Sequence, residues 1–223
     1  MSSAQNGTAA RRGRQRADGA KRAEILAAAT ERFGRDGYES TKWADIASDV
    51  GVGPTALYHY FESKQHCLFV ILDEAVQMAL ARFERVAKAH PDPAAALRAI
   101  VADAFEATSH DVQRLRVLVA EHGLLLVPRR SPREEEARQT ARARTRALEL
   151  AWATLLARAM ERGAIAEGDP RLLARAVLGL YNSIWQWYRP HGPIALGVVS
   201  GFYRTRLLEL LGLPPGADEA KAA

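Results

Sequence analysis

Cysteine is almost missing from this 223-residue chain. Its one copy, Cys67, excludes an intramolecular disulfide framework and fits a reducing compartment. No run of about 18 apolar residues occurs, which argues against a membrane-spanning helix and a membrane partner. No apolar stretch follows the basic N-terminus, so that segment does not read as a secretory signal. The six histidines are scattered and Cys67 has no Cys partner, so neither a metal site nor a cofactor is expected. Nucleophile–base pairs and phosphate-cradling glycine loops are absent too, and an enzyme is not expected. Alternating strand patterns are scarce. What remains is a cytoplasmic, helical protein that works by binding.

Charge is unevenly spread. The net charge is +5, and the first 22 residues hold six basic groups (Arg11, Arg12, Arg14, Arg16, Lys21, Arg22) against Asp18 alone. The other 201 residues balance at 25 against 25. The whole excess therefore sits on a short arm ahead of a neutral body. Such an arm reads either as a solvated tail or as a nucleic-acid contact.

A capping residue followed by proline recurs as Gly53-Pro54, Asp92-Pro93, Ser131-Pro132, Asp169-Pro170 and Gly192-Pro193. Proline suits a first helical position, where its missing N–H would lack a partner anyway. Ser131 with Glu134 adds a capping box. Between these marks apolar residues recur at steps of three and four, as in Leu68, Ile71, Leu72, Ala75, Val76, Ala79 and Phe83. The fold class is all-α with about nine helices. Residues 1–20 read as a disordered basic arm, 21–63 as a domain of short helices, 64–212 as a larger helical domain, and 213–223 as a disordered tail.

From Thr41 the sequence is TKWADIASDVGVGPTALYHYFESK. Thr41 would cap a short helix with Trp43, Ile46 and Ala47 inward. Gly51 would make the turn, and a second helix from Gly53-Pro54 would carry Leu57 and Phe61 inward. This is the layout of a helix-turn-helix whose second helix enters the major groove of double-stranded DNA. A plain αα-corner has the same spacing. As a DNA reader, the segment would present Pro54, Thr55, Ala56 and His59 to the groove. Tyr58, Tyr60, Lys64, Thr41 and Lys42 would meet phosphates.

Residues from about 22 to 68 resemble the DNA-binding domain of the tetracycline-repressor (TetR) family of bacterial regulators. The marks are Phe33-Gly34-Arg35-Asp36-Gly37-Tyr38, Thr41, Asp45-Ile46-Ala47, Gly51-Val52, Leu57-Tyr58-His59-Tyr60-Phe61 and Ser63-Lys64. The resemblance implies phosphate contacts at Thr41, Tyr58 and Lys64 and groove contacts at Pro54, Thr55 and Ala56. Ala44 stands where many members carry a base-reading arginine, and Gly53-Pro54-Thr55 replaces the frequent Ser-x-Gly. Readout would then lean on apolar contacts, arm insertion and DNA shape.

The resemblance further implies a homodimeric repressor on a palindromic operator, released by a small effector bound in the larger domain. Broad apolar faces on the last two helices suit a dimer interface, or the closure of the monomer's own core. Trp187-Tyr188-Arg189-Pro190-His191-Gly192-Pro193 resembles a signature of TetR members that regulate fatty-acid and steroid breakdown, several of which respond to acyl-CoA thioesters. The same residues would build a sharp turn whatever the effector. Effector candidates are Phe105, Leu118, Glu121, Trp152, Leu156, Met160, Asn182 and Trp185, each of which also fits core packing. A mainly apolar cavity would take an apolar or acyl-CoA-like ligand. The stretch 123–130 would form an entrance gate, and the arginines from Arg133 to Arg146 a solvated face. The alternative is a DNA-binding regulator with a degenerate pocket, controlled by a protein partner.

Overall fold

The structure, a computed structural model, describes residues 3–190 and 192–213. Among the described residues the chain forms nine α-helices, one 3-10 helix and no strand. In order these are α1 (Ser3–Asp36), α2 (Trp43–Asp49), α3 (Pro54–Leu57), α4 (Lys64–Ala89), α5 (Pro93–Ala104) and α6 (Ser109–Glu121). A 3-10 helix (His122–Leu126), α7 (Pro132–Glu161), α8 (Pro170–Trp187) and α9 (Leu196–Leu210) follow. None of these helices is long and apolar enough to cross a membrane.

Local chemistry sets most helix starts. Asp92 accepts from the Ala95 N–H, Asp169 from the Arg171 and Leu172 N–H groups, and Ser63 from the His66 N–H. Gly192-Pro193 departs from the pattern. The Gly192 N–H donates to the Arg189 carbonyl at 2.9 Å, closing a turn after α8, and α9 begins only after Ala195. The capping box at Ser131 is half formed. Its hydroxyl accepts from the Glu134 N–H, but the Glu134 carboxylate accepts from Ser63 instead. In return Ser131 donates to Glu62 at 2.7 Å. Two reciprocal serine–glutamate bonds therefore fasten the start of α4 to the start of α7.

α1 takes in residues 3–20, the stretch whose composition predicts a disordered arm. The physical reason is its alanine- and arginine-rich sequence, which propagates a helix nucleated on the packed residues Ile25, Leu26, Ala29 and Phe33. At the other end Leu213, the first residue of the expected tail, is buried in the core. Residues 214–223 of that tail, and His191, lie outside the described residues.

Buried apolar residues form two clusters. The first gathers Ile25, Phe33, Ile46, Leu57, Phe61 and the first half of α4 through Leu72, with Val117, Leu125 and Ala141 from later helices. The second gathers Phe83, Leu97, Ile100, Trp152, Leu156, Val177, Trp185 and Leu207. α4 runs through both, so its two halves report on different cores. The Arg133–Arg146 stretch is not uniformly solvated. Arg138 is buried, donating to the Leu125 carbonyl and to Glu135, and Arg144 pairs with Asp73 of α4 at 2.6 Å.

α1 meets α6 closely at Gly34. A Cβ there would collide with Gln113 Oε1 and lie 3.0 Å from the Gln113 Cβ. Gly34→Ala should therefore push the two helices apart and cost about 1–3 kcal/mol. Thermal melting should show a fall of about 3–10 °C for a chain of this size, and an unchanged Tm would mean that Gln113 swings clear.

Candidate nucleic-acid interface and effector cavity

The segment from Trp43 to Tyr60 folds as two short helices about a glycine turn. Gly51 takes φ +65°, a left-handed conformation that a side chain resists, and the Val52 N–H then reaches back to the Ala47 carbonyl at 2.9 Å. Ile46, Ala47, Leu57 and Phe61 are buried between the helices. α3 is extended past Leu57 by tight turns, with Tyr58, His59 and Tyr60 N–H groups donating to carbonyls three residues back. α1 holds α2 from behind. Lys21 donates to the Val50 carbonyl at 3.2 Å, and Arg32 forks onto Asp49, holding that carboxyl below its ordinary pKa.

This geometry leaves Lys42, Pro54, Thr55, Tyr58 and His59 exposed, with Ala56 and Tyr60 half-buried. Two other expected DNA contacts are committed to the fold. Thr41 is 3 % exposed and its hydroxyl donates to the Gly37 carbonyl at 2.8 Å, while Lys42 rather than Thr41 occupies the position before α2 and makes no side-chain cap there. The Lys64 ammonium donates to the Tyr38 and Thr41 carbonyls at 2.8 and 2.9 Å and lies 4.2 Å from the Tyr38 ring centre. It closes the turn between α1 and α2. Ala44, beside this face, is exposed and offers no hydrogen-bonding group to a base.

A cavity of about 120 Å³ lies among α4, α5, α6, α7 and α8, with Leu207 of α9 completing its lining. One stripe of α4 forms a wall: Ala75, Met78, Ala79, Arg82, Phe83 and Val86. Trp152 closes it, packed 5.2 Å from Phe83. Its polar groups are few and mutually engaged. Arg82 donates to Asp103 Oδ2 at 2.9 Å and Arg85 to Oδ1 at 2.9 Å. Burial works to raise the Asp103 pKa, but the two guanidinium groups outweigh it and hold the carboxyl low. The Tyr181 hydroxyl, pushed up by burial, donates to the Ala104 carbonyl at 3.0 Å. Arg114 spends one N–H on the Met78 sulfur at 3.1 Å.

Of the eight effector candidates, Trp152 lines this cavity. Phe105 packs edge-on against Tyr181 at 5.5 Å, one layer behind the wall. Trp185 is buried between Tyr181 and Tyr188, and Leu156 is fully buried. Met160 packs partly buried against the same cluster, and Leu118 against the other one. Asn182 is half-buried off the wall, and Glu121 sits at the end of α6, its carboxyl pushed up by burial and by Glu39. The stretch 123–130 contributes nothing to the cavity; Leu125 anchors it in the first cluster. Sequence reasoning misses Arg82, Asp103, Asp111, Arg114 and Tyr181. The three-and-four spacing of Ala75 through Val86 is the available signal, with Arg82 set among apolar neighbours. Among the described residues no group of three or more His, Cys, Asp or Glu side chains is placed to hold a metal ion.

Comparison with known proteins settles the family. Residues 90–211 match the tetracyclin repressor-like C-terminal domain, and residues 25–71 match the bacterial regulatory proteins of the tetR family. The chain belongs to the TetR family. This TetR-family chain is 26% identical over 185 residues to the transcriptional repressor KstR2 of Mycobacterium tuberculosis, covering 82% of this chain and 88% of that protein. It is 30% identical over 108 residues to the transcriptional activator FasR of Mycolicibacterium smegmatis, covering 48% and 49%. Among solved structures, the TetR family regulator PfmR from Thermus thermophilus superposes with a TM-score of 0.68 at 28% identity, over 86% of this chain and 99% of that one. AibR in complex with isovaleryl coenzyme A and operator DNA shares the fold at a TM-score of 0.70 and 21% identity, over 83% and 97%. As a TetR-family member, the chain is a DNA-binding transcriptional regulator with its helix-turn-helix in α2 and α3.

Proposed function

We propose that this protein is a homodimeric, cytoplasmic repressor that binds a palindromic operator and is released by a small, mainly apolar effector of the acyl-CoA class. The observation that carries the reading is the path of α4. Its first turn fixes the α1–α2 corner through Lys64, and its second half walls the cavity. An effector pressing on that wall acts on the helix that leaves the recognition motif. It does so only to the extent that it binds the two states of the dimer unequally. Repression is the activity named for the KstR2 relatives, whereas FasR is named an activator. A reporter fused to the bound promoter decides the sign.

The test is a thermal-shift and operator-release panel of short branched and straight acyl-CoA thioesters, the matching free acids and coenzyme A alone. At about 100 times Kd a true effector adds roughly 2.7 kcal/mol, which raises Tm by about 5–10 °C. Release of a pre-bound operator should follow the same order of potency. A shift with coenzyme A alone would place recognition outside the apolar cavity. No shift and no release with any compound would leave a regulator controlled by a protein partner.

A further inference from the structure

Resting on the reading of an effector-responsive regulator, we propose that Arg116 is the positioning residue that carries the state of the cavity to the helix-turn-helix. Its neighbours on α6, Arg114 and Leu115, line the cavity. Arg116 leaves the helix in another direction. Its Nε donates to the Gly34 carbonyl at 3.0 Å, and its Nη1 donates to the Tyr188 carbonyl. Gly34 belongs to the last turn of α1, which ends at Asp36, and Tyr188 is the cap residue immediately after α8.

Both acceptors stand at the negative ends of helices, where the last carbonyls lack intrahelical partners. One guanidinium thus joins two helix ends that come from different cores. The task suits the rigid planar fork of arginine and not the single head of lysine. Arg189 completes the α8 end by folding back onto the Gln186, Trp187 and Tyr188 carbonyls at 3.1–3.2 Å.

From Gly34 the route to the DNA face is short. Arg32, two residues earlier, forks onto Asp49 at the end of α2, with one contact at 2.8 Å. Gly34 also packs closely on the Gln113 side chain of α6. A ligand pressing on Leu115 from inside the cavity shifts α6, and Arg116 passes that shift to the end of α1. α2 and, through the Gly51 turn, α3 follow. This route is independent of the Lys64 corner on α4, so the sensor reaches the DNA-binding helices at two points.

The test uses the full-length protein and a duplex that the wild type selects from a random-sequence pool. Arg116→Met keeps the aliphatic stem and removes every donor, and Arg116→Lys keeps the charge without the fork. Arg116→Met should weaken binding about five- to tenfold with the salt slope unchanged, because no phosphate contact is lost. Arg116→Lys should recover part of the loss. Ala79→Phe, which fills the cavity, should weaken binding in the wild-type background and have a clearly smaller effect in the Arg116→Met background, where only the α4 route through Lys64 remains. Circular dichroism and gel filtration set the folded dimeric fraction for each variant.

Wild-type affinity of folded Arg116→Met would overturn the proposal and leave the residue a role in stability alone. A flattened salt slope would also overturn it, by making Arg116 a phosphate contact. So would losses that add in full in the double variant. Silence of Ala79→Phe in the wild type would count against the cavity as the sensor. That failure is separate, because the affinity and slope of Arg116→Met still decide the part played by Arg116.

Discussion

Val198→Asp with Phe202→Asp should turn the protein monomeric and lower its operator affinity by about a hundredfold or more. The two side chains are 67% and 59% exposed, one helical turn apart on α9. Leu172, Trp187, Ile194 and Leu210 extend the exposed apolar surface along the α8–α9 end. The inward face of α9 is already occupied: Val199, Leu207 and Leu208 are buried in the second cluster. The outer residues therefore do not close the monomer's own core. A two-fold interface buries each of them twice, at about 1.5–3 kcal/mol per large side chain. Carboxylates in the same places must be desolvated beside their own symmetry mates.

The DNA consequence follows from geometry. A dimer places two recognition helices on half-sites about 34–36 Å apart, and the second engagement is effectively intramolecular. A monomer loses that effective concentration, worth about 10²–10⁴ in affinity. Sedimentation at micromolar concentration and anisotropy on the selected duplex measure the two effects. A variant that stays dimeric would place the interface elsewhere. A monomer that binds as the dimer does would remove the palindromic-operator reading.

The parts legible in the sequence are those fixed within a few residues. Asp92, Ser131 and Asp169 begin helices because a side-chain oxygen and the nearest N–H groups suffice to define the cap. The helix-turn-helix is legible for the same reason: Gly51 and the inward Ile46, Ala47, Leu57 and Phe61 lie within 16 residues of one another. Gly192-Pro193 carries the same local signal but is used by the Arg189 turn, a choice made by the preceding chain.

The cavity is a different kind of object. Periodicity places Leu156, Trp185 and Trp152 alike on buried faces, and only the packing of six helices decides which of them borders empty space. Arg82 escapes a sequence reading because a charged residue on a helix normally points to water. Here Asp103 and two carbonyls satisfy it at the cavity wall. Thr41 and Lys64 show the converse. Their types suit phosphate, yet the turn from Gly37 to Lys42 leaves carbonyls that a nearby hydroxyl and ammonium satisfy first.

Removing residues 1–20 should weaken operator binding about tenfold to a hundredfold at moderate salt and reduce the salt slope by about 3 to 4. The segment carries Arg11, Arg12, Arg14 and Arg16 against Asp18, while the rest of the excess charge, Lys21 and Arg22, stays with the body. Dimerisation should be untouched, because α8 and α9 are at the other end of the chain. Two routes to DNA give the same slope and differ in shape. An arm that enters a flanking minor groove must be unwound, since a helix about 10–12 Å across does not fit a groove about 6 Å wide. An arm that keeps the helix of α1 extends about 30 Å from residue 20 and lays its charges along phosphates. The continuous helix from Ser3 to Asp36 favours the second route. A minor-groove ligand such as netropsin should then leave the affinity of the intact protein unchanged. Competition by that ligand, lost on deleting the arm, would show that the arm unwinds and inserts. An unchanged salt slope after deletion would make the arm a passive tail.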